Sequence, residues 1–136
     1  VGVTPLIIDS TLRENLSYGL DEPIEDNILL EMAREFKLFN EEQNYDLDKK
    51  ISNKTLSSGQ MQKISFIRSL LSDVEVLLLD ESTSNLDQET RQMIFDILNS
   101  KDLTVVNSTH TPDDFRGYDY HIRIEIEDEK RILKVT

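Results

Sequence analysis

The sequence predicts an α/β fold, with a helical subdomain followed by parallel strands and a C-terminal β-hairpin. Three observations predict it. Apolar residues recur at helical spacing in the first third, helix and strand patterns alternate after residue 56, and two segments of period-two alternation close the chain. At 136 residues the chain fits one domain with a modest core, made of a mostly helical part (1–55) and an α/β part (56–136).

Composition removes several function classes. With 38% hydrophobic and 31% charged residues the chain is ordinary for a soluble globular protein, and its apolar runs, such as residues 76–79, are far too short to cross a bilayer. No basic segment followed by an apolar stretch opens the chain, so no secretory signal is read. The lack of cysteine excludes a disulfide framework or a thiolate metal site. Fifteen basic against 27 acidic residues give a net charge of -12, which opposes approach to a polyanion and argues against a nucleic-acid partner. The chain opens at Val1 without an initiator methionine, and residues 1–8 read like the middle of a domain, so an excised fragment is expected.

Residues 1–8 are apolar and β-branched enough for a strand or extended entry, with Pro5 arguing against an uninterrupted central strand. Residues 11–18 predict a short helix ending at Gly19. Residues 25–38 predict a stronger one, with Ile28, Leu29, Met32 and Phe36 on one face. Residues 40–55 are polar and mixed in charge, and read as a short element plus loop. Ser57 with Gln60 three residues later forms a capping box that launches a helix through Leu71. Residues 74–79 then read as a strand buried on both faces. Asp87 caps a helix through about Leu98, residues 103–106 form a short strand, and Thr111-Pro112 starts a brief helical turn. Residues 120–126 and 131–135 pair as a hairpin around residues 127–130.

The chemistry-bearing stretches come in order along the α/β part. Leu56-Ser57-Ser58-Gly59-Gln60 is a small-residue turn with hydroxyls at a helix N-terminus, which gathers unpaired N–H donors around an anion; in isolation an ordinary capping box is the favoured reading of it. The apolar strand ending in Asp80 and Glu81 places two carboxylates where open α/β sheets bind ligands. In phosphoryl transfer one acid there helps hold Mg2+ and a second orients or deprotonates the attacking water, although terminal acids also simply meet solvent. The polar connection from Ser82 to Asp87 ends the strand and caps the next helix. His110 falls just past a strand end at the same sheet edge, whereas His121 reads as an ordinary strand residue.

Together these stretches resemble the ATPase domains of ABC-type transporters. LSSGQMQKISFIRSLLSDVEVLLLDESTSNLD (56–87) is similar to the family's signature helix, Walker B strand and D-loop without a gap, and residues 106–110 resemble its switch-histidine segment. TLRENLSYG (11–19) resembles the segment after the Q-loop in exporter-type members, where the helical subdomain faces the transmembrane domains. The resemblance implies a partial P-loop NTPase (ABC ATPase) fold and covers nearly the whole chain. It implies that Ser57, Ser58 and Gly59, with Gln60 of the same motif, serve the γ-phosphate of ATP held by the opposite subunit of a head-to-tail dimer. It further implies that Asp80 supports Mg2+ through water, Glu81 is the general base, His110 contacts the γ-phosphate and Asp87 communicates across the dimer. Implied partners are transmembrane domains and a second nucleotide-binding domain, at the cytoplasmic face of a membrane, with the isolated chain soluble.

Departures from the family pattern shape these expectations. Ser58 replaces the usual first glycine of the signature pair, Met61 stands where a basic residue is common, and Val3 falls at or near the Q-loop glutamine, where it can neither ligate Mg2+ nor hydrogen-bond water. Glycine occurs only at positions 2, 19, 59 and 117, so no G-x-x-x-x-G-K-[ST] loop can be drawn; the only lysine followed by serine or threonine is Lys54, preceded by Asn53. Negligible ATPase activity from the chain alone is therefore expected, and the resemblance places the family's phosphate-loop strand beside the Walker B strand. Two other readings stay open: a non-catalytic dimerisation or regulatory module, and a non-transport ABC ATPase of the chromosome-maintenance type, which the missing heptads and acidic charge disfavour.

Overall fold

The computed structural model describes residues 1–112 and 115–136. Two short strands, β1 (Ser10–Thr11) and β2 (Lys50–Ile51), pair antiparallel and bracket the helical part, which holds α1 (Leu12–Leu16), α2 (Asp26–Glu35) and a 3-10 turn at Glu42–Asn44. Helix α1 begins at a capping box: Thr11 accepts from the Glu14 amide while the Glu14 side chain reaches back. Gly19 follows it at φ +84, a left-handed position that glycine occupies without penalty. Helix α2 ends earlier than residue 38 because the chain turns left-handed at Lys37, φ +46, just after the C-cap Phe36.

The α/β part contains α3 (Ser58–Leu71), β3 (Val76–Asp80), α4 (Gln88–Asn99) and β4 (Thr104–Ser108). Strands β3 and β4 pair in parallel, from Val76 opposite Thr104 to Asp80 opposite Ser108. That register brings the residues after both strands to one edge. On the other side of β3, the Val1 N-terminus donates to the Leu78 carbonyl at 2.7 Å and the Asp80 amide donates to the Val1 carbonyl at 3.0 Å, a parallel bridge opposite Leu79. Both edges of β3 are thus occupied. Within this sheet the free edge among the described residues belongs to β4.

The core runs through both parts. Ile64, Phe66 and Ile67 of α3 meet Leu12 and Leu16 of α1, Leu29 and Ala33 of α2, and Leu77, Leu79, Ile94 and Leu98 from the α/β part, all buried. Phe36 stacks on Phe66 with ring centroids 6.5 Å apart. Helix α3 is therefore the spine that the two parts share.

The expected burial of β3 on both faces is not observed. Leu77 and Leu79 are 5% and 2% exposed, but Val76 and Leu78 on the opposite face are 54% and 63% exposed, as is Val106 of β4 at 50%. The helices cover one face only, and nothing among the described residues packs on the other. Removing Leu77 should therefore be costly and removing Leu78 nearly neutral. We expect Leu77→Ala to lower stability by about 2–5 kcal/mol and Leu78→Ala to change it by under about 0.5 kcal/mol, measured by urea unfolding of the chain. Equal costs would reject one-sided burial.

Strands β5 (Ile122–Glu127) and β6 (Lys130–Val135) form the predicted hairpin. Its turn residues Asp128 and Glu129 have φ of +48 and +63, the two consecutive left-handed positions of a type I′ turn. The brief helical turn expected after Thr111 falls partly on residues 113–114, outside the described residues. No helix among the described residues is long and apolar enough to cross a membrane.

Candidate functional site

The first half of the site is the N-terminus of α3. Ser57 is its N-cap: Oγ accepts from the Gln60 amide at 3.1 Å, and Gln60 Oε1 accepts from the Ser57 amide at 2.9 Å. This capping box is the one read from the sequence. It leaves the first-turn amides of Ser58 and Gly59 without intrahelical acceptors, and the serine hydroxyl protons can still donate. A cleft of about 310 Å³ opens in front of the turn, lined by Lys37, Asn40, Ser57, Ser58, Gly59, Gln60, Lys63, Asn85, Asp87 and Thr90 among others.

Gly59 lies in this cleft for a reason that is not internal packing. A Cβ added there would meet Leu86 Cδ2 at 3.7 Å and Ser57 Oγ at 3.9 Å, ordinary contact distances. The missing side chain keeps the cleft floor open. Two lysines that the sequence reading did not single out line the cleft as well. Lys63 Nζ donates to the Lys37 carbonyl at 2.9 Å, and partial burial holds the Lys63 pKa below the usual ammonium value, opposed by the field of Asp87. The signal was in the turn itself: a cation one turn after a capping box lies beside the helix N-terminus.

Asp87 is the N-cap of α4. Its carboxylate accepts from the Thr90 amide at 2.8 Å and from the Thr90 hydroxyl at 3.0 Å, and these bonds, the amide first, hold its pKa below the usual carboxylate value. The fold brings Asp87 and the α3 turn into the same cleft.

The second half of the site sits at the C-terminal edge of the β3–β4 pair. Asp80 ends β3 with an exposed side chain. The Glu81 amide donates to the Ser108 carbonyl at 3.0 Å, which fixes Glu81 beside the end of β4. Its φ of +47 is unusual for a non-glycine residue, a local strain of the kind that collects at functional sites. His110 Nε2 lies 2.6 Å from Glu81 Oε1, so the carboxylate and imidazole placed at one edge by sequence are in direct contact. Just beyond, the Ser82 hydroxyl is buried without a partner, as is Asn107 Oδ1 of β4. These are polar atoms that water or a ligand would satisfy.

None of Asp80, Glu81 and His110 lines the cleft at the α3 turn. The two groups of residues are separate, one of donors and one of acids. The donor set suits an anion. The single aspartate ending β3 suits outer-sphere support of a Mg2+ ion, and no cluster of three or more His, Asp or Glu able to hold a metal directly occurs among the described residues.

Comparison with known proteins decides the family. A family model described as ABC transporter matches residues 4–84. The chain belongs to the ABC transporter family. It is 31% identical over 116 residues to the prophage-derived sublancin-168-processing and transport ATP-binding protein SunT of Bacillus subtilis, covering 82% of this chain and 16% of SunT. It is 37% identical over 112 residues to the phosphate import ATP-binding protein PstB 3 of Natronomonas pharaonis, covering 79% of this chain and 40% of that protein. A bacterial Atm1-family ABC exporter solved with ATP bound shares the fold, with a TM-score of 0.70 and 23% identity over 88% of this chain and 22% of the exporter chain. The ABC transporter chain described here thus spans between 16% and 40% of the length of these relatives, and its α/β architecture is a partial ABC ATPase fold.

Proposed function

We propose that residues 1–136 form part of the nucleotide-binding domain of an ATP-driven ABC exporter, with residues 1–55 the end of the Q-loop region and helical subdomain, and residues 56–136 the signature-to-hairpin part of the ATPase core. The observation that carries this reading is the separation of the two groups. One chain does not bring the Ser57–Gly59 donors and the Glu81–His110 pair together, and in the proposed head-to-tail dimer the donors of one copy would face the acids of the other. The exporter assignment rests on the resemblance of the α1 segment (11–19) to exporter-type members; the relatives, one of them named for phosphate import, support ABC transport without its direction. The transmembrane domains and a second nucleotide-binding domain are the proposed partners.

In this reading the free amides of Ser58 and Gly59 and the hydroxyls of Ser57 and Ser58 bind the γ-phosphate of ATP from the opposite subunit, and Gln60 keeps Ser57 in place. Glu81 orients the attacking water and accepts its proton on a carboxylate oxygen, while His110, beside that carboxylate, contacts the γ-phosphate. Asp80 would support Mg2+ through water, and the bound ion would neutralise charge on the phosphate oxygens. Asp87 ties the donor turn to α4, so that closure at one site is felt at the helix leading to the other.

Calorimetric titration of the 136-residue chain with Mg-ATP, after circular dichroism has shown it folded, tests this division of labour. With no G-x-x-x-x-G-K-[ST] loop in the sequence, no saturable heat is expected. Tight, saturable binding would overturn the reading, because it would require a complete phosphate cradle within one chain.

A further inference from the structure

Next to the Glu81–His110 pair in the chain are two buried polar atoms that the proposed chemistry does not use. Ser82, the residue after Glu81, is 3% exposed, and its hydroxyl has no hydrogen-bond partner among the described residues. Asn107, three residues before His110, holds its side-chain Oδ1 buried and equally without a partner. Asn107 stands opposite the buried Leu79 in the parallel register, and paired residues share a face, so it belongs to the face that the helices cover. Val105, two residues earlier on that face, packs against the core. An apolar residue would suit position 107 in the same way, whereas a buried amide oxygen needs a hydrogen bond.

Both residues flank one bridge. The Glu81 amide donates to the Ser108 carbonyl at 3.0 Å, with Ser82 following the donor and Asn107 preceding the acceptor. The bridge ends at a strained corner: Glu81 is left-handed at φ +47, and the Ser84 amide closes a turn on the Glu81 carbonyl at 3.2 Å. A backbone in so sparsely populated a region persists only where its surroundings fix it. The Ser82 hydroxyl and Asn107 Oδ1 do not bond each other. Oδ1 only accepts and a hydroxyl accepts as well as donates, so a molecule with two donors satisfies both. Water is such a molecule, and buried polar atoms commonly hold it.

We propose that Ser82 and Asn107 are positioning residues that hold bound water at the corner between β3 and β4, and that this water keeps Glu81 and His110 aligned for hydrolysis. This rests on the function proposed above. The water ties the turn after β3 to the end of β4 through side chains, in addition to the main-chain bridge. Glu81 Oε1 and His110 Nε2, 2.6 Å apart, sit on the two segments so joined.

The test compares Asn107→Val, Asn107→Thr and Ser82→Ala in an assembled transporter carrying this chain, with Glu81→Gln alongside. Valine and threonine are both β-branched and differ by one hydroxyl, so a packing defect strikes both alike. Asn107→Val and Ser82→Ala are expected to lower single-turnover hydrolysis at saturating Mg-ATP by about 10–100-fold, the scale of a small misplacement of reacting groups, with KM unchanged. Asn107→Thr keeps an oxygen for the water and should recover most of that loss. The Asn107→Val chain should unfold at the same urea concentration as its parent or a higher one, because it loses a buried atom in need of a partner. A crystal structure of the unaltered chain should show ordered water within hydrogen-bond distance of Ser82 Oγ and Asn107 Oδ1. Full turnover in Asn107→Val or Ser82→Ala, equal losses in the valine and threonine variants, or two dry oxygens would each overturn the proposal. If Glu81→Gln also keeps full turnover, the reading of Glu81 as the base falls with it; if Glu81→Gln is slowed while Asn107→Val is not, only the water does.

Discussion

Replacing Glu81 by glutamine in an assembled, ATP-hydrolysing transporter is expected to lower turnover by about 10²–10⁴-fold, the usual contribution of a positioned general base, and to leave Mg-ATP binding nearly intact. The geometry makes this a narrow test. Glutamine has the shape of glutamate, so the left-handed backbone at this position, φ +47, and the bond from its amide to Ser108 are carried over unchanged. An amide oxygen can still sit beside His110 as the carboxylate oxygen does at 2.6 Å. What the substitution removes is the ability to take a proton from water. Single-turnover hydrolysis gives the rate, and sedimentation in the presence of Mg-ATP gives the paired state, which should persist longer because its exit by hydrolysis is slowed. Unchanged turnover would reject Glu81 as the base, and loss of binding together with turnover would mean that the carboxylate holds the nucleotide rather than the water.

The parts of this architecture that were readable in the sequence are those determined within a few residues. Ser57 and Gln60 specify a capping box by spacing alone, and the box is formed; Asp87 likewise caps α4, and the alternation of residues 120–135 yields a hairpin. Placing Glu81 and His110 at one sheet edge followed from parallel pairing, because equal register carries both strand ends to the same side. The burial of β3 was misread because an apolar run records only that a strand is suited to two covered faces. Whether Val76 and Leu78 are covered depends on elements outside the strand. Helix α2 was read too long since helical spacing continues through Phe36 and Leu38, while the left-handed turn at Lys37 has no glycine to announce it. The hydrogen bonds of Arg68 to Leu6 and Asn15 were hidden for a different reason: its acceptors come from residues 53 and 62 positions away, and two of the three are main-chain carbonyls. No side-chain pattern records them.

Gly59→Asp separates stability from function more sharply than any other single change in the chain. Gly59 occupies the second helical position of α3, where a negative side chain faces the positive end of the helix dipole and where glycine is a poor helix former. A Cβ there finds room beside Leu86 and Ser57. The variant chain should therefore unfold at the same urea concentration as its parent or higher, by up to about 1 kcal/mol. The same carboxylate fills the floor of the 310 Å³ cleft and answers the free amides of Ser58 and residue 59 from within. An incoming phosphate would then meet a fixed negative charge in place of open donors, and loss of such donors costs about 10²–10³-fold in rate. Gly59→Ala supplies the control, because it adds the methyl and the helix propensity without the charge, and should retain most activity. A charged variant that hydrolyses ATP normally while remaining as stable as its parent would show that this turn caps a helix and nothing more, since the fold has no other use for an open position at residue 59.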